Sequence, residues 1–409
     1  MEVLHGRCAG LDVHKDTVVA CVRIQQNAAA PVHQVQTFGT TTQELLALSD
    51  FLEQHQVTVA AMEATGVYWK PVWHVLEESF ELVLANAQHI KNVPGRKTDV
   101  ADATWIADLL AHGLIRASFV PPTPIQDLRA LMRTRKQLVR ERAQHVQRIQ
   151  KTLEDANIKL ASVVSDVVGT SGRAILRSLV AGETDPEKLV AVTTGRLKAG
   201  RDKLREVLQG RVRASHRFLL KLHLEQIQAL EQSISMLDTE VGSLLAPFRE
   251  QVARLVTIPG ISDVAAQVLL SEIGVDMSRF PTAGHLVSWS GLCPRNDESA
   301  GKRRSTRLRQ GSSWLKTLLV QCAWSAVRSK SGYLPAQFRR IQSRRGPKKA
   351  IMAVAASILT AAYYMLRDKT DYRDLGKDYF ARCDKTRTMM RLVRRLSELG
   401  YEVELKAAA

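Results

Sequence analysis

The sequence predicts an α/β domain followed by a longer, mostly helical remainder. Three observations lead there. β-rich segments alternate with helix-period segments only within residues 1–120 of the 409. Beyond residue 125 apolar residues return at helical spacing over long stretches. The charge divides at the same place. Residues 1–120 hold 8 Lys/Arg against 13 Asp/Glu in a chain of net charge +17, which leaves +22 on the rest.

Taken in order, residues 7–13 and 17–25 read as strands joined by a tight turn at His14-Lys15-Asp16. Val32-His33-Gln34-Val35-Gln36-Thr37-Phe38 alternates like a third strand. Thr41 or Thr42 caps a helix carrying Leu45, Leu46, Leu48, Phe51 and Leu52. Residues 57–62 form a fourth strand ending at Glu63, and Gly66-Val67-Tyr68-Trp69 turns into a helix through Val72, Trp73, Val75 and Leu76. Leu82-Val83-Leu84-Ala85 is a fifth strand, followed by a helix opened by Thr98. This βββαβαβα order is the layout of an RNase H-like fold.

Four acids stand at the ends of these elements: Asp12 after strand one, Glu63 after strand four, and Asp99 and Asp102 at the last helix start. Residues i and i+3 share a helix face, so Asp99 and Asp102 point at one spot. Singly, each acid has an ordinary reading as a turn end, a surface charge or a first-turn partner of the helix dipole. Together they suit divalent cations, because carboxylates are hard oxygen ligands. Mg²⁺, as two ions, or Mn²⁺ in its place, would stabilise both the attacking and the leaving oxygen of a phosphodiester.

In residues 125–160, Leu128, Leu131, Leu138, Val139, Val146, Ile149 and Leu153 keep helical spacing with Arg and Lys between them. Residues 161–215 read as short helices, and residues 216–244 resume a long amphipathic pattern. Two long helices around an insert suggest an antiparallel arm or a coiled coil with another subunit; a plain bundle spacing the end domains remains open. Ile258-Pro259-Gly260-Ile261-Ser262 resembles the turn of a helix-hairpin-helix element. Its backbone N–H groups and helix start, at Gly260 and Ser262, suit a phosphate; a packed turn between helices fits equally.

The basic charge is concentrated. Residues 290–350 hold 15 Lys/Arg against 2 Asp/Glu. Arg295, Lys302, Arg303, Arg304, Arg307 and Arg309 surround Ser299, in a segment read as a flexible loop; Arg339, Arg340, Arg344, Arg345, Lys348 and Lys349 form a second cluster. Both suit a phosphate backbone. A hydroxyl at Ser299 would reach a phosphodiester held by guanidinium groups, although a loop serine is more often only that. An apolar helix from Ala350 to Leu366 and a basic helix from Lys385 to Arg395 follow.

Length suggests two or three domains, and the 45% hydrophobic fraction is ordinary for a folded protein. No uninterrupted apolar run reaches the length of a membrane span, and residues 1–5 lack a signal-peptide pattern. Five scattered cysteines read as reduced thiols, with neither a disulfide framework nor a zinc site. A cytoplasmic protein is expected.

Five segments in this order resemble one known family: Gly10-Leu11-Asp12-Val13-His14-Lys15, Met62-Glu63-Ala64-Thr65-Gly66-Val67-Tyr68, Lys97-Thr98-Asp99-Val100-Ala101-Asp102-Ala103, Ile258-Pro259-Gly260-Ile261, and Gly291-Leu292-Cys293-Pro294 through Ser299. It is the DEDD transposases of bacterial insertion sequences, the IS-one-ten family, related to the Piv DNA invertases. The resemblance implies a RuvC-like catalytic domain (1–120), a coiled-coil arm with an insert (121–248), a transposase domain (249–370) and a basic tail (371–409). By motif match Asp12, Glu63, Asp99 and Asp102 are the metal ligands and Ser299 the nucleophile that forms a covalent serine–DNA link. The resemblance also implies a structured bridge RNA pairing with donor and target DNA. It further implies a homo-oligomer, a dimer assembling to a tetramer, in which one subunit's acids meet another's serine. The protein would associate with the nucleoid when bound to DNA. One departure is Ala300-Gly301, where Gly-Gly or Gly-Ser is expected. Two competing readings need less: a RuvC-type nuclease or junction resolvase using only the four acids, and a non-catalytic nucleic-acid-binding protein.

Overall fold

A computed structural model describes residues 2–25, 30–64, 66–85, 90, 102–194, 200–294, 297–305, 307–308, 311–383 and 385–404, without the side chains of 297–299, 303, 304, 387, 388 and 391. Asp99, Arg295 and Arg309 therefore lie outside the described residues, as do the side chains of Ser299, Arg303 and Arg304. The chain divides into two compact units, Met1–Val120 and Pro121–Ala409.

The first unit is built on a five-stranded mixed sheet of β1 (Arg7–Val13), β2 (Thr17–Ile24), β3 (Val32–Gly39), β4 (Val59–Glu63) and β5 (Glu81–Ala85). Their order is β3-β2-β1-β4-β5. The first three strands are antiparallel neighbours, while β4 runs parallel to β1, and β5 to β4. Parallel neighbours need a crossover, supplied by α1 (Thr42–Gln54) before β4 and α2 (Trp69–Leu76) before β5. Thr41 starts α1 as expected, its hydroxyl accepting from the Glu44 N–H at 3.4 Å.

Period-two alternation sorts the strand residues onto two faces. Ala9, Leu11, Val13, Val18, Ala20, Val22, Ala60 and Met62 pack on one face with Leu45, Leu48 and Leu52 of α1 and Val72 and Leu76 of α2. The other face carries Cys8, Val59 and Ala61, joined by Ile106, Leu109 and Leu110 of α3 (Asp102–Ala111). Gly10 is the point of closest approach. A Cβ there would lie 2.1 Å from the Ala103 carbonyl oxygen and 2.4 Å from the Ala107 nitrogen, so α3 packs its backbone against β1.

The second unit begins with α4 (Thr123–Asp155), and a second long helix, α9 (Ala214–Leu244), returns beside it. Arg135 pairs with Asp238, Arg142 with Glu231, His145 with His223, and Asp155 with Arg213 and His216. Partner numbers fall on one helix as they rise on the other, so the two are antiparallel within one chain. Between them α5 (Leu160–Val163), α6 (Thr170–Ala181), α7 (Pro186–Ala191) and α8 (Arg201–Val207) close a separate core around Ile175, Leu176, Leu179 and Leu204, shared with Ile149, Leu153, Leu220 and Ile227 of the long pair.

After α9 come α10 (Arg249–Val256), α11 (Asp263–Ile273), α12 (Ala283–Trp289), a hairpin of β6 (Asp297–Ser299) and β7 (Lys302–Ser305), α13 (Ser313–Ala326), α14 (Tyr333–Arg345), α15 (Pro347–Asp368), α16 (Tyr379–Cys383) and α17 (Lys385–Glu398). By length and composition α15 is apolar enough to cross a membrane. It is a core helix here, burying Ala350, Val354, Ala355, Ile358, Leu359 and Ala362.

Substituting Gly10→Ala forces the β1–α3 contact apart. A loss of about 3 kcal/mol is expected, at the upper end of overpacking penalties. It is measurable as a lower urea midpoint together with faster amide exchange in β1 and α3.

Candidate catalytic site

β1 and β4 are parallel, with Leu11 opposite Met62. Asp12 and Glu63 follow in the same register, side by side where both strands end. Both fall on the face of Gly10 and Ala61, the face covered by α3. The sheet order runs outward in opposite directions from this pair of strands, and the carboxyl ends at such a reversal are where open α/β sheets hold ligands.

The helix brings the third acid. Cys8 Sγ lies 3.5 Å from the Ala107 oxygen, and Gly10 meets Ala103 and Ala107, so α3 descends in number toward the end of β1 that carries Asp12. Asp102 is its first residue. A carboxylate there gains from the helix dipole. Asp12 accepts a hydrogen bond from His14 at 3.2 Å, with its side chain 20% exposed.

The far half of α3 is fixed by charge. Arg23, 2% exposed, donates from Nε to Asp108 Oδ1 at 2.8 Å and from a terminal nitrogen to Gln25 at 2.6 Å. His33 Nε2 also reaches Asp108 at 3.2 Å. These residues sit on the α3 face of β2 and β3 and prevent the helix from sliding along the sheet. Nearby, burial pushes the Cys8 thiol up to about 11 and raises that of Cys21, so both stay protonated and packed.

Asp12 and Glu63 thus stand in neighbouring register at the ends of β1 and β4, and Asp102 is the first residue of the helix that covers that face, while Asp99 falls outside the described residues. Among the described residues no three His, Cys, Asp or Glu side chains form a group able to hold an ion by themselves. The donors are nonetheless all carboxylate oxygens, which suits a hard divalent cation. Two carboxylates side by side in register also repel unless a cation stands between them.

The serine segment departs from expectation. Ser299 ends β6, opposite Lys302, in place of a flexible loop. Ala300 and Gly301 both have positive φ, 50° and 73°. That is the pattern of a two-residue type I′ hairpin turn, whose twist matches the strands. The turn is why the segment is a ribbon. At its root a Cβ on Gly311 would lie 2.4 Å from the Gly291 nitrogen, so the two ends of the excursion touch.

The basic residues divide by use. Lys302, Arg307, Arg339, Arg340, Arg344, Arg345, Lys348 and Lys349 are exposed. Arg340 also covers the Phe380 ring at 4.8 Å, and Arg339 donates to the Lys330 carbonyl at 3.0 Å. The Pro-Gly turn is packed: Gly260 has φ +88°, and a Cβ there would lie 2.4 Å from the Cys322 oxygen. The Ser262 hydroxyl caps α11, accepting from the Ala265 N–H at 3.3 Å.

Sequence reasoning missed the Arg23–Asp108–His33 anchor and a buried acid in the second unit, Glu272, 1% exposed and held by Arg133 at 2.8 and 2.9 Å. Both had a signal. Arg23 interrupts a strand on its otherwise apolar face, and Glu272 interrupts the apolar run Val268-Leu269-Leu270-Ser271-Glu272-Ile273.

Carboxylates at the strand ends of an α/β unit, ahead of a strongly basic helical unit, define a class: enzymes that transfer phosphoryl groups on nucleic acid. Comparison with known proteins narrows it. Residues 9–158 match the transposase family model of the DEDD type, and residues 252–339 match the model described as Transposase IS116/IS110/IS902 family. The chain belongs to this family and is a DNA transposase/recombinase; dependence on a divalent metal goes with membership. A putative transposase of Sinorhizobium fredii is 26% identical over 376 residues, 88% of this chain and 87% of that protein. The transposase of insertion sequence IS1328 of Yersinia enterocolitica is 26% identical over 68% of this chain and 73% of its own length. A pilin gene-inverting protein of Moraxella bovis is 30% identical over 36% of this chain and 48% of its length. Among solved structures, Thermus thermophilus RuvC aligns with 27% of this chain and 99% of its own at a TM-score of 0.22 and 13% identity.

Two outcomes follow from the geometry. Asp108→Ala leaves Arg23 buried without its carboxylate and is expected to cost about 3 kcal/mol, read by urea unfolding. Ala300→Gly relieves a left-handed alanine and should stabilise the hairpin by about 1 kcal/mol, seen as slower amide exchange across residues 297–305.

Proposed function

We propose that this transposase is an RNA-guided DNA recombinase that cuts and exchanges strands through a serine–DNA phosphodiester intermediate. Asp12, Glu63, Asp99 and Asp102 hold two Mg²⁺ ions, with Mn²⁺ as the substitute, and Ser299 is the nucleophile. The observation that carries the reading is the placement of Asp12 and Glu63 as neighbours at the ends of parallel strands, under the helix that begins at Asp102.

When bound, the ions supply charge stabilisation to the attacking and leaving oxygens. The protein does the rest. Ser299 Oγ attacks phosphorus, giving up its proton to a neighbouring base; an Oγ–P bond forms and one bridging P–O bond breaks, its oxygen taking up a proton. The bond energy stays in the serine ester. A hydroxyl of the exchanged strand then displaces the serine, and joining needs no further energy source. The hairpin supports this role, since Ser299 ends its first strand opposite Lys302, with Arg307 just past its second. Lys302 and Arg307, with Arg295, Arg303, Arg304 and Arg309, contact phosphates of element-end and target DNA; Arg339, Arg340, Arg344, Arg345, Lys348 and Lys349 form a second contact surface. A structured bridge RNA selects the sites, and the working form is a dimer that assembles to a tetramer. The second unit serves as a helical arm, a transposase domain and a basic tail.

The test is covalent trapping. Full-length protein, Mg²⁺, the RNA flanking its gene and labelled element-end DNA are run on a denaturing gel. Wild type should give a slow protein–DNA band, and both Ser299→Ala and Asp102→Ala should lose it. Cleaved DNA with no covalent band, unchanged by Ser299→Ala, would replace the recombinase with a nuclease that uses the acids alone. Omitting the RNA should abolish the band; its persistence would remove the guide from the mechanism.

A further inference from the structure

One face of α4 carries Arg129, Arg133, Lys136 and Arg140 at helical spacing. The first two are bound to α11. Arg129 donates to the carbonyls of Ser271 and Glu272 at 3.1 and 2.7 Å, and Arg133 makes its two-point contact with the Glu272 carboxylate. Lys136 and Arg140 make no direct ion pair among the described residues, although Glu272 is near enough to favour the Lys136 charge. Both nevertheless converge on Trp314, with Lys136 Nζ 4.9 Å and Arg140 Cζ 5.6 Å from the ring centroid, and Arg133 Cζ joins them at 5.4 Å.

An indole face attracts a cation. It does not neutralise three, and one carboxylate answers only part of the charge. Burial, with Arg140 close by, holds the Lys136 ammonium below its usual range. The face of α4 turned to α9 is different: there Arg135 has Asp238, and Arg142 has Glu231. The cations gathered on Trp314 thus differ from those facing α9, which have a carboxylate each.

The Trp314 side lies at the root of the serine hairpin. Trp314 follows Gly311, where the excursion closes on Gly291. Between them, the Ser312 hydroxyl caps α13 by accepting from the Leu315 N–H at 3.3 Å and reaches Glu272 at 3.4 Å. One buried carboxylate therefore ties both the root of the hairpin and the arginine row of α4. We propose that Lys136 and Arg140, gathered with Arg133 on Trp314, clamp the phosphodiester backbone of the nucleic-acid strand that runs to the hairpin. Phosphate oxygens supply the negative charge the cluster lacks, and the indole keeps the three side chains converged beforehand. The proposal rests on the recombinase reading only for the identity of that strand.

The test is binding by the full-length protein in EDTA, where no strand chemistry occurs, so it is independent of Ser299. A labelled DNA duplex and a labelled RNA stem-loop are titrated separately over a range of salt. Lys136→Gln/Arg140→Gln should lower the slope of log affinity against log salt by about 2, as two lost phosphate contacts require. Affinity should fall about ten-fold, with the melting temperature unchanged or raised, since two mutually repelling charges are gone. Lys203→Gln/Lys221→Gln, equal in charge but placed on α8 and α9, should leave the slope at the wild-type value. A loss confined to one probe identifies the strand as DNA or RNA. Unchanged slopes with both probes, or a fall in melting temperature without a change in slope, would overturn the clamp and leave the cluster as a packing joint.

Discussion

The first unit depends on backbone packed against backbone. With no side chain at Gly10, the amide framework of α3 lies directly on β1. The contact sets the height of the helix above the sheet, and the Arg23–Asp108 pair sets its position along the strands. Together they leave one place for the start of α3: over the edge where β1 and β4 end. Asp102 is an acid at a useful position because Gly10, far earlier in the chain, lets its helix approach β1.

The second unit depends on a buried charge. Glu272 would be costly in its core alone. Paired with Arg133, and with Arg129 holding the adjacent carbonyls, it becomes a joint between α4 and α11 that also receives Ser312. Such a pair adds little net stability compared with apolar residues of the same size, but removing one partner strands the other. The joint therefore specifies geometry. It fixes the first long helix to the segment from which the serine hairpin springs.

The serine hairpin shows local chemistry overriding composition. A stretch of polar and basic residues around Ala300-Gly301 reads as loop. Two consecutive left-handed residues instead close a type I′ turn, and the flanking residues pair as strands. At the Pro-Gly turn the outcome is opposite in kind. The glycine expected to present its backbone to phosphate is pressed against the end of α13, and the serine after it caps its own helix.

The alternation of apolar residues sufficed for the five strands, the crossover helices and the two long helices, because burial of a periodic face is a local pattern. Motif order sufficed for the family. The sequence by itself also put Asp12 and Glu63 near strand ends and Asp102 near a helix start. It did not determine that Asp12 and Glu63 are neighbours, since β1 and β4 are separated by two strands and a helix in the chain and only the sheet order 3-2-1-4-5 joins them. Nor did it determine that Arg23 meets Asp108, that Glu272 meets Arg133 and Ser312, or that Trp314 meets Lys136, pairs brought together from distant parts of the chain. Side-chain periodicity is written along the chain, whereas strand order, helix height and the pairing of buried charges are set by long-range packing, and only the tertiary structure decided them.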